Sequence, residues 1–109
     1  MLNSLKNLLG ISPGPTATEL LAEGALILDV RSPGEFAGGH VPGAKNIPLD
    51  RLATEISRLG PKDKAIVTCC ASGMRSASAA AILRSEGFTR VANGGSWRGL
   101  GAKLSENNP

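Results

Sequence analysis

Two runs of the 109-residue chain are apolar almost throughout and too short to stand alone as helices: Ala25–Val30 (ALILDV) and Ala65–Cys69 (AIVTC). A strand with one wet face alternates apolar and polar residues, whereas a strand covered on both faces does not. Two such strands demand helices on both sides of a sheet, and the sequence supplies them. Thr16 and Glu19 read as N-cap and capping-box acid ahead of Leu20 and Leu21, with Gly24 as the stop. Ser32, Pro33 and Glu35 repeat that signal. Asp50 is placed to cap a third helix with Leu52, Ala53, Ile56 and Leu59 on one face, ended by Gly60–Pro61. A fourth helix is expected from about Arg75 to Ser85, closed by Gly87. Phe88–Ala92 reads as a further strand, and Asn93–Leu100 as a turn into a short final helix. Ile11–Pro15 suits an edge strand, and a short strand falls near Asn46–Ile47. Alternating strands and helices imply an α/β sandwich on a mostly parallel sheet. Ligands of such sheets bind beyond the carboxyl ends of the strands, which is where Cys69 and Cys70 lie.

Composition narrows the class. Hydrophobic residues make up 41% and charged residues 19% of the chain, which fits one folded domain. Only 3% is aromatic, so the core is aliphatic and the stacking platforms of single-strand nucleic-acid binders are missing. The net charge of +3 is scattered, which suits small anions better than a nucleic-acid backbone. No apolar run is long enough to span a bilayer, so no membrane partner is expected. Residues 1–10 make a poor signal peptide, but Leu2, Leu5, Leu8 and Leu9 suit a short amphipathic helix in an N-terminal extension. The expected location is cytoplasmic, a reducing compartment that suits a free reactive thiol.

The cysteine pair is the chemical feature. A disulfide between adjacent residues closes a strained ring, and two adjacent thiols with one distant histidine do not make a metal site. Cys69 continues the strand and reads as a buried small hydrophobe. Cys70 enters the segment CASGMRS, Cys70 to Ser76. Gly73 allows a backbone that turns successive N–H groups inward as an anion nest. The following helix points its positive end at the same place, and Arg75 adds a charge. These features favour a thiolate at Cys70 and a cradle for an anionic substrate. Asp29 and Arg31 end the first buried strand. Asp29 reads as a structural support, and Arg31 as lining the pocket mouth. His40, in a Gly-rich loop, reads as supporting, and Glu35 as a capping residue.

These segments resemble the rhodanese family. CASGMRS is similar to its loop Cys-x-x-Gly-x-Arg. Ile27–Leu49 resembles its Asp-Val-Arg strand end, Glu-Phe helix, Gly-His-x-Pro-Gly-Ala loop and Asn-Ile-Pro segment. Gly87–Trp97 resembles its closing segment with paired glycines, although Trp97 follows Gly95 by only two residues. The resemblance implies a rhodanese domain over residues 11–104, with a flexible tail at 105–109. It implies a three-layer sandwich on a five-stranded, mostly parallel sheet. It further implies a sulfurtransferase that needs no cofactor. The Cys70 thiolate takes sulfane sulfur from a small anionic donor such as thiosulfate. Cyanide, a thiol or a sulfur-carrier protein then removes it. Arg75 and the amides of Ala71, Ser72, Gly73, Met74, Arg75 and Ser76 hold the persulfide. Two alternatives stand beside this: a relay module loaded by a partner's persulfide, and, more remotely, a phosphatase or arsenate reductase. The related phosphatases carry five residues between cysteine and arginine, and this chain carries four. A subsidiary reading lets Cys69 attack a Cys70 persulfide and release sulfide.

Overall fold

The computed structural model describes residues 14–106. The N-terminal extension, most of the candidate edge strand at Ile11–Pro15, and residues 107–109 lie outside the described residues. One sheet of four parallel strands runs in the order β2-β1-β3-β4. Its strands are β1 (Leu26–Asp29), β2 (Lys45–Asn46), β3 (Ile66–Cys70) and β4 (Val91–Ser96). The helices are α1 (Ala17–Ala22), α2 (Pro33–Ala37), α3 (Leu52–Glu55), α4 (Met74–Ser85) and α5 (Trp97–Glu106). Where five strands were expected, the described residues hold four. The last helix runs to Glu106, past the expected domain end at residue 104. No helix among the described residues is long and apolar enough to cross a membrane.

The sheet separates two cores, as strands apolar on both faces require. On one side Leu28, Val30, Ile66, Cys70 and Val91 pack against Ala79, Ala80 and Leu83 of α4 and against Leu52 and Leu59. On the other, Val67, Cys69 and Ala92 pack against Leu20 of α1 and Leu100 of α5. The period-2 pleat therefore sends the two adjacent cysteines to opposite faces. The inner stripe of α4 is Ser76, Ala79, Ala80 and Leu83, at helical spacing, and its small residues let the helix lie close to β3 and β4.

Local signals are met with three adjustments. Ser32 and Glu35 form the full reciprocal capping box of α2. Thr16 caps α1 by accepting from the Glu19 N–H at 3.1 Å, but the Glu19 carboxylate accepts a hydrogen bond from the Thr16 hydroxyl rather than closing a box. Asp50 does not cap its helix. It sits inside a 3₁₀ turn, Leu49–Arg51, started by the Arg51 N–H bonding to the Pro48 carbonyl. A second 3₁₀ turn follows α3 at Ile56–Arg58, and the mixed winding leaves Ala53 exposed while Leu52 and Leu59 are buried.

The third adjustment shapes the site. β4 starts at Val91, later than Phe88, and continues through the paired glycines instead of ending before them. Phe88 and Thr89 are held in a turn by bonds to the Leu83 and Lys62 carbonyls, so the ladder begins only near Arg90. Thr68 pairs with Asn93 and Cys70 with Ser96, so β4 carries one extra residue there. That bulge falls on Gly94 and Gly95, and Gly95 takes φ +81°. A Cβ on Gly94 would sit 2.7 Å from Val67 Cγ1 and 2.8 Å from the Thr68 carbonyl oxygen. Gly94→Ala is therefore expected to cost about 1–3 kcal/mol of stability, read as a lower midpoint in urea unfolding.

Candidate active site

The chain leaves β1 to one side, to make β2, and returns to the other side as β3. The carboxyl ends of β1 and β3 thus form a switch point, a natural crevice. Cys70 ends β3 at this crevice. Gly73 follows at φ +103°, and α4 starts at Met74. Gly73 occupies the N-cap of α4 and has no side chain to offer the free amides of the first turn. The Cys70 sulfur takes that place. The Gly73 N–H donates to Sγ at 2.9 Å, and the Ser76 hydroxyl lies 3.4 Å from it. Burial pushes the thiol's pKa up. Hydrogen bonds from the Ser76 hydroxyl and the Ser76, Gly73 and Ser72 amides outweigh it and lower the pKa to about 7. Cys69, with its sulfur in the opposite core, is pushed up to about 12 by burial and then by the Asp29 charge. Its place across the sheet leaves it no path to attack a Cys70 persulfide.

Arg75 does not point a free charge at Cys70. Its guanidinium forms a two-pronged pair with Glu35, at 2.7 and 3.0 Å. Bonding to Arg75, then to the Ser32 amide, lowers the Glu35 carboxyl to about 2. Glu35 thus closes the α2 capping box and ties the Cys70 loop to α2. The favourable field at the sulfur comes from amides and a hydroxyl, with Arg75 in a lesser part.

Arg31, expected at the pocket mouth, is only 4% exposed. It shares the pleat of Asp29 and Cys69, which turns it from the Cys70 side. It pairs with buried Asp29 at 2.7 Å and donates to the Glu35 and Gly39 carbonyls. Its guanidinium lies over the Trp97 ring, 4.6 Å from the centroid. Trp97 therefore braces the Asp29–Arg31 pair, which accounts for its place close behind the glycines. His40 is exposed, stacks on Phe36 at 3.7 Å and donates through Nδ1 to the Phe36 carbonyl, a structural role.

Comparison with known proteins accords with this geometry. The rhodanese-like domain family matches residues 15–99. The chain belongs to the rhodanese-like domain family. It is 39% identical over 71 residues to a sulfurtransferase of Allochromatium vinosum, covering 65% of each chain. It is 40% identical over 81 residues to the thiosulfate sulfurtransferase GlpE of Pseudomonas entomophila, covering 74% of this chain and 72% of that one. The human single-domain sulfurtransferase TSTD1 superposes with a TM-score of 0.65 at 30% identity, over 90% of this chain and 99% of that one. The chain thus spans just under two thirds of the Allochromatium protein's length.

Within this rhodanese domain, two contributors to the site were missed in the sequence. Asn93 bonds to the Cys70 loop from β4: its Oδ1 accepts from the Ser76 hydroxyl at 2.7 Å and from the Gly95 N–H at 2.9 Å, and its Nδ2 donates to the Gly73 carbonyl at 3.2 Å. Thr68, one pleat before Cys70, donates its hydroxyl to the Ser76 carbonyl at 2.8 Å. Their signals were a polar residue at the strand end beside the paired glycines, and the one hydroxyl in an apolar strand. Ala71, Ser72 and Met74 form the exposed rim, with Met74 79% exposed. A cleft of about 450 Å³ meets the loop at Arg75 and is lined by Val30, Ser32, Pro33, Pro48, Leu49, Asp50 and Arg51. Cys70 is not among its lining residues.

Alkylation by iodoacetamide should therefore rise with pH to a plateau, with its midpoint near pH 7. Fragment mass spectra should place the label on Cys70 and leave Cys69 unmodified in the folded protein. The linked stability has a fixed sign. The thiol is lowered on folding, so its contribution is present above about pH 9 and is lost as pH falls through about 7.

Proposed function

We propose that the protein is a sulfurtransferase that carries sulfane sulfur on Cys70. The observation that carries this reading is a buried sulfur that replaces the missing cap of α4 and is lowered to about 7 by hydrogen bonds. The thiolate attacks the outer sulfur of thiosulfate or a related anion. The donor's S–S bond breaks, and its electron pair leaves with sulfite. Cys70 is left as a persulfide with the negative charge on the outer sulfur. Cyanide, a thiol or a carrier then attacks that outer sulfur, and the electron pair returns to Sγ as a thiolate. Both halves balance without a redox partner, so the chemistry asks for no cofactor. The amides from Ala71 to Ser76 cradle the transferred sulfur.

Arg75 holds the donor's charge only in exchange for Glu35. A small anion therefore competes with a carboxylate already in place, and Cys70 is fully buried. The carboxylate already held by Arg75 supports a second reading, in which a partner protein's persulfide loads Cys70. The short loop between Cys70 and Arg75 and the occupied Arg75 both disfavour a phosphatase.

Incubation with thiosulfate should add one sulfur atom to the peptide holding Cys70, and cyanide should remove it. Cys70→Ser should abolish both changes. No gain from thiosulfate, with gain from a persulfidated protein donor, would move the assignment to the relay. Glu35→Gln releases Arg75 and is expected to lower KM for thiosulfate by about two- to fivefold, with kcat little changed, in steady-state thiocyanate assays.

A further inference from the structure

The Ser76 hydroxyl has one hydrogen and two neighbours that can accept it. Asn93 Oδ1 lies at 2.7 Å and Cys70 Sγ at 3.4 Å. The orientation of the Asn93 amide is set from both ends. Its Oδ1 accepts the Gly95 N–H, and its Nδ2 donates to the Gly73 carbonyl. Oδ1 therefore faces Ser76 as an acceptor only. Ser76 is itself fixed, being fully buried with its carbonyl bonded to Thr68. The hydroxyl torsion is the remaining freedom.

We propose that the Ser76 hydroxyl is a rotor that follows the charge on the Cys70 sulfur. Its hydrogen points to Asn93 Oδ1 when the sulfur is uncharged and to the sulfur when it is a thiolate, with Asn93 as the positioning residue. In the thiol form the Cys70 S–H donates to Ser76 Oγ, which donates onward to Asn93. On ionisation the hydroxyl hydrogen swings to Sγ, and Asn93 keeps the Gly95 N–H. The inference rests on the sulfur-transfer reading for its use in turnover. There Sγ loses its charge on forming the persulfide and regains it when the outer sulfur departs, so the rotor turns once in each half-reaction. Ser76 thereby stabilises Cys70 as a leaving group without presenting a permanent charge to the neutral state.

The other groups around the sulfur are largely matched. Arg75 of α4 pairs with Glu35 of α2, and Arg31 pairs with Asp29 beside β1. Cys69 of β3 lies in the opposite core, and Asp50 and Arg51 line the cleft beyond Arg75. β4 contributes no titratable side chain.

The test is the pH midpoint of Cys70 alkylation in folded variants, with folding checked by thermal melts. Ser76→Ala should raise the midpoint by about one pH unit, the worth of one hydrogen bond to a charged group. Ser76→Thr keeps the hydroxyl and should stay near wild type. Asn93→Asp keeps the acceptor and holds the hydrogen away from sulfur; it should also raise the midpoint, in part through its own charge, so the double variant isolates the hydroxyl. The double variant Ser76→Ala/Asn93→Asp should shift less than the sum. Wild-type midpoints in Ser76→Ala and Asn93→Asp would overturn the rotor. An equal shift in Ser76→Thr and Ser76→Ala, or full additivity, would overturn it too. If Ser76→Ala does not fold, Asn93→Ala decides: with the competing acceptor gone the hydroxyl hydrogen stays on the sulfur and the midpoint should fall, and an unchanged or raised midpoint would overturn the rotor. On preloaded persulfide, Ser76→Ala should slow cyanide-driven sulfur release about tenfold. Should the protein never load sulfur, the transfer reading falls while the alkylation midpoints still judge the rotor.

Discussion

A helix that begins without a capping side chain leaves amide hydrogens in need of an acceptor, and in this protein the acceptor is the sulfur of Cys70. The rest of the site follows from that substitution. Gly73 can stand at the N-cap because only glycine reaches φ +103° at low cost, and its lack of a side chain leaves the place open. The small residues along α4 bring its first turn down onto β3, so the sulfur is buried and yet hydrogen-bonded. Desolvation alone would make such a thiol a poor acid. The amides and the Ser76 hydroxyl reverse the sign.

Around this centre lie two supports of different character. On the Cys70 side, Glu35 joins α2 to the loop through Arg75. On the other side of the sheet, Asp29 and Arg31 are buried together and roofed by Trp97. A buried ion pair is costly unless its remaining donors are satisfied. Here the Glu35 and Gly39 carbonyls take them, which fixes the Gly-rich loop that follows α2. Arg31 and Arg75, each paired with an acidic side chain, thus serve mainly to set loop positions.

Much of this was legible in the residues. The apolar runs at Ala25–Val30 and Ala65–Cys69 required a doubly covered sheet, and Ser32-Pro33-Gly34-Glu35 specified a capped helix turn by turn. Cys70 could be singled out from Gly73 and the helix after it. What escaped was whatever depended on register between strands. Which cysteine faces which core, and that Arg31 shares the pleat of Cys69, depends on a pairing that the sequence does not state. The bulge at Gly94 and Gly95 was hidden in the same way, since paired glycines read equally well as the end of a strand. Asn93 gained its role from its register beside Thr68, the residue that also bonds to Ser76. The pairing of Arg75 with Glu35 spans forty positions and had no local signal.

The opposite facing of the two cysteines also bears on how the protein meets oxidants. A low-pKa thiol is the residue most readily taken to a sulfenic acid, and enzymes that tolerate this keep a second thiol within reach to resolve it. The chain has only two cysteines, and the sheet itself stands between their sulfurs. Within these 109 residues Cys69 therefore cannot resolve an oxidised Cys70. A thiol from elsewhere would meet it at the exposed rim of Ala71, Ser72 and Met74.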